Sequence, residues 1–247
     1  MKNNVSFDSS LAKFGIGLFE TIKVKNGKVD LNLHMDRISN SIKELKIGTS
    51  YEREYLENKI LKYIKDNNVY NKALRLTVFD EGYNISTRDI QYNEKSYKDG
   101  FKLNISPIKR GNSILYKHKT TNYFENVYTK DYAKNNGFDD GIFIDSNNNI
   151  LECSMSNIFF IKNNILYTPI QELPILNGTT KRRILKLCDE FNIEIKQTYI
   201  NIEDIREFDF VFVTNALMGL MKVVQIDNIN YNEENHLFDK ILKYLYI

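Results

Sequence analysis

The sequence predicts an α+β fold. Segments with alternating apolar residues, typical of strands, and segments with apolar residues three or four apart, typical of helices, occur in both halves of the chain. They follow one another without the regular strand–helix–strand alternation of a doubly wound sheet. A tight β-hairpin is also predicted near the N-terminus, where Asn26-Gly27 separates two alternating runs. These observations favour an α+β fold over a doubly wound parallel sheet.

The N-terminal elements follow in order from the spacing of apolar residues. The hairpin is expected within residues 19–33, and helical spacing predicts a helix over residues 34–47. A second amphipathic pattern predicts a helix over residues 52–68, and alternation predicts a strand over residues 72–80.

The C-terminal half is predicted to contain three helices and five strands. Helices are expected over residues 122–137, 177–191 and 235–247, and Asn136-Gly137 is a strong stop signal for the first of them. Strands are expected over residues 140–145, 150–161, 165–169, 194–200 and 209–216.

A domain boundary is predicted where turn-forming residues collect between "FKLNISPIKR" and "TNYFENV". A chain of 247 residues can form one large domain or two small ones. We therefore predict an N-terminal domain over residues 1–107, an interdomain loop over 108–118 and a C-terminal domain over 119–247.

Composition excludes several classes of protein. The net charge of +2 is too small for a typical nucleic-acid-binding domain. Cys153 and Cys188 lie far apart and in no paired motif, so neither a disulfide framework nor a metal site is expected. The start "MKNNVSFDSS" lacks an apolar signal region, and no apolar run approaches the length of a membrane span. We expect a cytoplasmic protein with neither a nucleic-acid nor a membrane partner.

Three basic residues, Lys117, His118 and Lys119, stand together just before a predicted helix. A lysine acts as a nucleophile or forms a Schiff base when burial or a neighbouring cation lowers its pKa. Lys109 and Arg110 are close enough in sequence to supply such a cation. The alternative is an exposed and solvated basic loop.

Glu152 lies inside the strongly apolar segment "ILECSMSNIFF", which predicts a largely buried carboxylate. A buried carboxylate needs a partner. That partner is either a structural arginine or lysine, or a protonated nitrogen of a heteroaromatic ring.

Two further features are suited to a phosphate group. The stretch "LNGTTKRRIL" places Gly178, Thr179 and Thr180 at a helix start, where unpaired N–H groups and the helix dipole favour anions. Arg37, on the first turn of its predicted helix, is suited to bind a phosphate with two hydrogen bonds. Ordinary helix capping and a solvated arginine are the alternatives. Taken with an amine and a buried carboxylate, these features match the binding requirements of pyridoxal 5'-phosphate (PLP).

The sequence resembles the fold-type IV, branched-chain-aminotransferase-like PLP-dependent enzymes, and within them the 4-amino-4-deoxychorismate lyases. The similarity runs from about Phe14 to about Val224. It is carried by "FGIGLFETIKVKNGKVDLNLHMDRI", "HKTTNYFENVYTKDYAKNNGFDDGIFID", "ILECSMSNIFFIKNNILYTP" and "LNGTTKRRIL". The resemblance implies a small N-terminal α/β domain, a larger C-terminal pseudo-barrel domain, PLP as the cofactor and a homodimer.

The resemblance also implies roles for individual residues. Arg37, in the H-x-x-R element, is expected to contact the cofactor phosphate, and Lys119 is expected to form the Schiff base. Asn122 follows that lysine three residues later. Glu152 is expected to hold the pyridine nitrogen, and Asn157 belongs to the S-N-I-F element that follows it.

Further contacts are implied for the phosphate and for the substrate. The cofactor-binding set also includes Asn215 and the backbone of Gly178, Thr179 and Thr180. A basic rim is a candidate for binding the substrate carboxylates, with solvated loop charges as the alternative. The substrate candidates are Lys109, Arg110, Lys117 and Asn122.

Departures from the family pattern bear on the reaction. Aminotransferases of the family carry a threonine in a later phosphate contact, where "VTNALMGLMKV" has Ala216. The Arg-x-His carboxylate site of D-amino-acid aminotransferases has no counterpart after "RLTVFDEGYN". The first departure favours a lyase that converts aminodeoxychorismate to 4-aminobenzoate and pyruvate in folate biosynthesis, and the second argues against a D-amino-acid aminotransferase. A branched-chain or D-amino-acid aminotransferase is the alternative, and a non-catalytic relative conflicts with the complete set of Arg37, Lys119 and Glu152.

Overall fold

The computed structural model describes residues 1–48 and 51–245, and it divides into two compact units. The first unit comprises Met1–Gln91 and His118–Tyr123. The second comprises Tyr92–Lys117 and Phe124–Ile247. Helices and strands are mixed in both units, so the predicted α+β class is confirmed.

The first unit is built on a three-stranded antiparallel sheet in the order β1-β2-β3. Its strands are β1 (Gly17–Lys23), β2 (Lys72–Phe79) and β3 (Gly82–Asp89). Its helices are α1 (Ser10–Phe14), α2 (Asn32–Glu44) and α3 (Arg53–Asp66). The apolar faces of α2 and α3 form one core with the sheet, as their spacing predicted. Residues of this core include Leu18, Ile22, Met35, Ile38, Leu56, Ile60, Leu74 and Leu76.

The predicted hairpin forms only as a turn. Asn26 and Gly27 both have positive φ, as a tight hairpin turn requires, and Lys25 and Lys28 form an isolated bridge around them. The second arm of the hairpin is absent because α2 begins at Asn32 and leaves too few residues for a strand. The ladder partner of β1 is instead β2, with seven paired residues.

The second unit contains a curled nine-stranded sheet, which corresponds to the predicted pseudo-barrel domain. Its main strand order is β6-β5-β4-β11-β10-β7-β8-β9, and β12 pairs with β11. The pairs β4–β5, β4–β11 and β8–β9 are parallel, and the others are antiparallel. The strands are β4 (Phe101–Arg110), β5 (Asp140–Asp145), β6 (Ile150–Cys153), β7 (Asn157–Lys162), β8 (Ile165–Pro169), β9 (Ile195–Thr198), β10 (Phe210–Asn215), β11 (Gly219–Ile226) and β12 (Ile229–Asn230).

Among the described residues, four α-helices belong to the second unit. They are α4 (Glu94–Asp99), α5 (Phe124–Asn135), α6 (Thr179–Glu190) and α7 (His236–Leu245), with short 3-10 helices at Ile114–Lys117 and Ile202–Glu207. Apolar residues of α6 and α7 pack on a stacked pair of rings, Phe159 and Phe212, whose centroids are 5.0 Å apart. The last two residues of the helix predicted over 235–247 lie outside the described residues. Within residues 1–48 and 51–245, every helix is too short or too polar to cross a lipid bilayer.

The two units divide the chain at places that differ from the predicted domain boundary. β4 runs through Pro107 as one strand and pairs with β5 and β11, so the stretch around this proline belongs to the second unit. The pairing of β4 with β5 shifts register between Ile105 and Lys109, and such an irregularity accommodates a proline within a sheet. The segment His118–Tyr123 belongs to the first unit because it pairs with β1.

The strand predicted over residues 150–161 is two strands separated by a bend. Asp140, which is 1% exposed, binds this bend and accepts hydrogen bonds from the Ser154 hydroxyl, the Met155 N–H at 3.3 Å and the Ser156 hydroxyl at 3.5 Å. β6 then pairs with β5, whereas β7 pairs with β10 and β8. The buried carboxylate therefore redirects the chain between these strands.

Gly141 gives a direct test of the packing between β5 and α5. A Cβ atom added at Gly141 would lie 2.5 Å from Thr129 Cγ2, and Thr129 is fully buried. We expect Gly141→Ala to lower the free energy of unfolding by about 1–3 kcal/mol, measured by urea denaturation, because the core has no room for a methyl group. Gly111→Ala is the matched control, since no atom lies within 4 Å of the added Cβ. Equal stability of the two variants would contradict the described packing.

Candidate active site

The backbone of Lys119 is fixed against the edge of the first unit's sheet. The Phe19 N–H donates to the Lys119 carbonyl at 2.9 Å, and the Thr121 N–H donates to the Gly17 carbonyl at 2.9 Å. Leu18 and Thr120 form an antiparallel bridge between these contacts. The lysine is therefore held by main-chain hydrogen bonds to β1 and does not lie in an unpaired loop.

Two aromatic rings flank the Lys119 amine. Its Nζ lies 4.5 Å from the centroid of the Phe19 ring and 5.3 Å from that of Tyr123. The two rings meet edge to face with centroids 5.1 Å apart, and the Arg75 guanidinium stacks on Phe19 at 3.7 Å. The rings restrict the positions that the amine can take and provide apolar surface beside it.

A buried carboxylate orients Arg37. Glu20, in the middle of β1, is fully buried and accepts hydrogen bonds from Arg37 Nε at 2.7 Å and Arg37 Nη2 at 2.6 Å. His34 Nδ1 lies 2.6 Å from Glu20 Oε2. Burial alone would raise the pKa of Glu20, but the charges and hydrogen bonds of Arg37 and His34 outweigh burial and lower it to about 2. Glu20 therefore stays ionised and holds the guanidinium in one orientation.

Glu20 and His34 were not among the predicted site residues. One signal for His34 is its position three residues before Arg37, which places both side chains on one face of α2. The signal for Glu20 is an acidic residue within the apolar stretch "GLFETI". Neither feature of the sequence indicates that Glu20 and His34 contact each other.

The basic residues near Lys119 in the sequence have different local surroundings. His118 is buried against α2, with its Nδ1 2.9 Å from the Ser41 hydroxyl and its Nε2 3.7 Å from a Glu44 carboxylate oxygen. Lys109 Nζ donates to the Asn148 side chain at 2.7 Å. Lys117 is exposed at the end of a 3-10 helix.

Glu152 ends β6 as a buried carboxylate with several donors. Its Oε1 accepts from Arg110 Nη1 at 2.9 Å. Its Oε2 accepts from the Leu176 N–H at 3.0 Å and from Asn157 Nδ2 at 3.3 Å. Such donors offset the desolvation of a buried carboxylate. Two predicted residues, Glu152 and Asn157, are therefore in direct contact across the bend.

Arg110 differs from the exposed rim residue expected from the sequence. Its side chain is 2% exposed, and its guanidinium stacks 3.5 Å from the centroid of the Phe143 ring and 4.4 Å from that of Tyr116. Besides Glu152, it donates through Nη2 to Asn126 Oδ1 at 3.1 Å. The second unit therefore buries this arginine as the ion-pair partner of Glu152, because the sheet and α5 enclose it.

The start of α6 is a narrow turn formed around Asn157. A Cβ atom added at Gly178 would lie 1.9 Å from Asn157 Oδ1, so only glycine fits without a shift. Asn157 Nδ2 also donates to the Leu176 carbonyl at 2.9 Å. Thr179 and Thr180 are buried, and the helix has no side-chain cap at its start. The main-chain N–H groups of this first turn are therefore suited to an anionic ligand.

Asn215 and Asn122 occupy different kinds of position. The side chain of Asn215 closes a turn: its Oδ1 accepts from the N–H groups of Leu217 at 3.0 Å and Met218 at 2.9 Å. Its Nδ2 donates to the Tyr92 hydroxyl at 3.2 Å. Asn122 is exposed, and its carbonyl accepts from the Thr120 hydroxyl at 3.5 Å. The cofactor contact of Asn215 and the substrate contact of Asn122 stay predictions.

Lys181 is a further buried group that the sequence did not single out. It is fully buried, and its Nζ donates to the Pro169 carbonyl at 3.0 Å. Burial lowers the pKa of this lysine to about 8, and the nearby Glu152 and Glu172 oppose that shift. It follows Thr180 directly in α6 and adds a positive charge near Glu152.

The geometry can be compared with known proteins. The family model for amino-transferase class IV matches residues 17–226. A protein named a probable branched-chain-amino-acid aminotransferase, from Rickettsia felis, is 28% identical over 237 residues, which cover 90% of this chain and 80% of that protein. The aminodeoxychorismate lyase of Bacillus subtilis is 26% identical over 250 residues, which cover 94% of this chain and 85% of that protein.

A solved structure is also similar to this chain. It comes from Legionella pneumophila, is assigned as a 4-amino-4-deoxychorismate lyase, and superposes with a TM-score of 0.92 at 26% identity. The match covers 100% of this chain and 96% of that one. Relatives with two different reactions therefore share this fold over most of their length.

The pairing of Glu20 predicts a specific dependence of stability on pH. Because its folded pKa is about 2, below the ordinary value of 4.5, its contribution is complete above pH 4.5 and is lost as the pH falls from 4.5 through 2. We expect the wild type to lose about 3 kcal/mol more than Glu20→Gln over this window, measured by urea denaturation. Glu54→Gln, at an exposed glutamate of α3, is the control and should keep the wild-type slope. A Glu20→Gln variant with that same slope would show that Glu20 is not the titrating group.

Proposed function

Because this chain belongs to the amino-transferase class IV family, whose fold-type IV members are PLP-dependent enzymes, we propose that it is a 4-amino-4-deoxychorismate lyase. The reaction converts aminodeoxychorismate to 4-aminobenzoate and pyruvate, in folate biosynthesis. The observation that carries the proposal is the turn after β10. There Ala216 occupies the position at which aminotransferases of the family offer a threonine hydroxyl, and Asn215 uses its side chain to close the turn.

The donor set of this chain fits PLP. Lys119 offers an amine beside aromatic rings, Glu152 offers a buried carboxylate, and the start of α6 offers uncapped N–H groups next to a glycine with no room for a side chain. When bound, PLP supplies an aldehyde that condenses with amines and a ring that accepts negative charge from the substrate carbon. The proposed roles follow from these chemical types.

In the proposed mechanism Lys119 has two tasks. It would hold the cofactor through its side-chain amine until the substrate binds. Its freed Nζ then removes the proton from the substrate carbon that bears nitrogen. The bond between the ring carbon and the enolpyruvyl oxygen breaks, and Lys119 returns a proton to that oxygen. The substrate ring becomes aromatic and the enolpyruvyl group leaves as pyruvate, so protons and electrons balance without an amino acceptor.

The other residues bind the cofactor and orient one another. Glu152, held as a carboxylate by its donors, keeps a proton on the cofactor ring nitrogen. Arg37 binds the phosphate, with its guanidinium oriented by Glu20, and the backbone at Gly178 and the two threonines after it binds the same group. Asn157 supports both Glu152 and this turn. The enzyme is proposed to act as a homodimer on a small-molecule substrate.

A branched-chain aminotransferase is the second candidate function. The observation that favours it is the Rickettsia felis relative, which is 28% identical and matches 90% of this chain. Removal of the same proton by Lys119 begins both reactions, and transamination then requires a 2-oxo acid as amino acceptor.

A product assay distinguishes the two reactions. Aminodeoxychorismate generated in situ by its synthase is supplied to the protein loaded with PLP, and 4-aminobenzoate and pyruvate are followed by chromatography and a coupled dehydrogenase. We expect equal amounts of both products with no amino acceptor present. Turnover that appears only with 2-oxo acids plus a branched-chain amino acid or D-alanine would replace the lyase with an aminotransferase.

The assignment of Lys119 has its own test. Borohydride reduction of the PLP-loaded protein, followed by peptide mass spectrometry, is expected to fix the cofactor to Lys119. Lys119→Ala should lower turnover by about 100-fold or more, because the general base is lost. Lys134→Ala, at an exposed lysine of α5, is the control and should retain activity and labelling. A label on Lys181 or another lysine would remove Lys119 from the mechanism.

A further inference from the structure

Arg110 is a buried cation that donates hydrogen bonds to Glu152 and to Asn126. We propose that Arg110 is the positioning residue of Glu152: it keeps this carboxylate ionised and correctly oriented, and through it controls the protonation of the cofactor ring nitrogen. The inference rests on the proposed role of Glu152. It replaces the expectation that Arg110 binds substrate carboxylates at an exposed rim.

The hydrogen-bond donors of Glu152 are divided between its two carboxylate oxygens. Its Oε2 accepts from two neutral groups, the Leu176 N–H at 3.0 Å and Asn157 Nδ2 at 3.3 Å. Its Oε1 accepts from the charged Arg110 Nη1 at 2.9 Å. A buried carboxylate that loses a charged donor gains a proton more readily, although the charge of Lys181 remains near Glu152. A protonated Glu152 would no longer hold a proton on a ring nitrogen, so the charge of Arg110 bears on the chemistry.

Arg110 is itself held in place by two aromatic rings and a hydrogen bond. The Phe143 ring centroid lies 3.5 Å from its guanidinium carbon and the Tyr116 ring centroid lies 4.4 Å from it. Nη2 donates to Asn126 Oδ1 at 3.1 Å, and the amide nitrogen of Asn126 donates to the Ser154 carbonyl at 2.6 Å. One network therefore connects the end of β4, the first turn of α5 and the bend that follows Glu152.

The contacts of Arg110 require an arginine side chain. Stacking beside two rings while donating to two acceptors in one plane requires the flat guanidinium, and an ammonium group cannot reproduce it. Glu125 Oε2 lies 3.5 Å from Arg110 Nε but its side chain is 41% exposed. The Arg110–Glu152 contact is shorter, at 2.9 Å, and is a hydrogen bond, so Glu152 is the main ionic partner.

A double-mutant cycle tests the inference. The variants are Arg110→Ala, Glu152→Gln and the double variant, with Arg206→Ala, at an exposed arginine of the same unit, as the control. We expect Arg110→Ala to lower kcat about 10- to 100-fold, the effect of losing a hydrogen bond to a charged group. In the Glu152→Gln background the same change should have almost no further effect, because the carboxylate through which Arg110 acts is gone. Arg206→Ala should match the wild type.

Two readouts separate positioning from a merely structural role. The visible absorption of the PLP-loaded protein is titrated with pH, and Arg110→Ala is expected to shift the midpoint whereas Arg206→Ala is not. Guanidinium ion at millimolar concentration should restore part of the wild-type midpoint and kcat to Arg110→Ala, because the space between the two rings accepts it. Arg110→Lys should recover less than the rescued alanine variant.

Each outcome has a defined meaning. Additive losses in the cycle, or an unshifted midpoint in Arg110→Ala, would overturn the inference and leave the lyase proposal intact. If the wild type forms no 4-aminobenzoate, the lyase proposal fails, and the cycle is completed with the dissociation constant of PLP from equilibrium dialysis. If Arg110→Ala does not fold, Arg110→Lys takes its place, and wild-type kcat and midpoint in that variant would likewise overturn the inference.

Discussion

The burial of carboxylates is the constraint on which this molecule's architecture most depends. A carboxylate removed from water must be surrounded by donors or be neutralised by a proton. Glu20, Asp140 and Glu152 are each nearly inaccessible, and each collects hydrogen bonds from elements distant in sequence. The need of these carboxylates for hydrogen-bond donors determines where α2 lies on the first sheet and where the chain bends after β6. It also determines which arginine is buried beside Glu152. Charged groups thus organise the cores together with apolar packing.

Asp140 shows how such a demand connects fold and chemistry. Without the bend that it binds, residues 150–161 would continue as one strand, and Glu152 and Asn157, five residues apart, would point to opposite faces of the sheet. The bend separates β6 from β7 and brings the two side chains within hydrogen-bond distance, 3.3 Å. Asn157 in turn fills the space where a side chain at position 178 would stand. A structural carboxylate thereby fixes both a carboxylate with a proposed chemical role and the start of a helix.

Local patterns predicted five of the helices and several strands, whereas β3, β4 and β11 were not predicted. α3 was expected over residues 52–68 and spans Arg53–Asp66, because apolar periodicity alone determines an amphipathic helix. The second hairpin arm is absent because α2 begins at Asn32, and β1 pairs instead with β2, far along the chain. Of the candidate site, the residue types at Lys119, Glu152 and Gly178 were recognisable from motifs. The pairing of Arg110 with Glu152 was not, since 42 positions separate them and nothing local marks an arginine for burial.

Each unit contains an arginine paired with a buried carboxylate, and the proposed function uses these two pairs in opposite ways. In Glu20–Arg37 the carboxylate is buried and orients the arginine, so the cation is the group offered to a ligand. In Arg110–Glu152 the arginine is enclosed by two rings and supports the carboxylate, so the anion is the group offered. This reversal matches the charge distribution of PLP, which carries negative charge on its phosphate and positive charge on its protonated ring nitrogen. A phosphate is recognised by a cation and a protonated nitrogen by an anion, so each offered group suits one part of the chemistry of PLP.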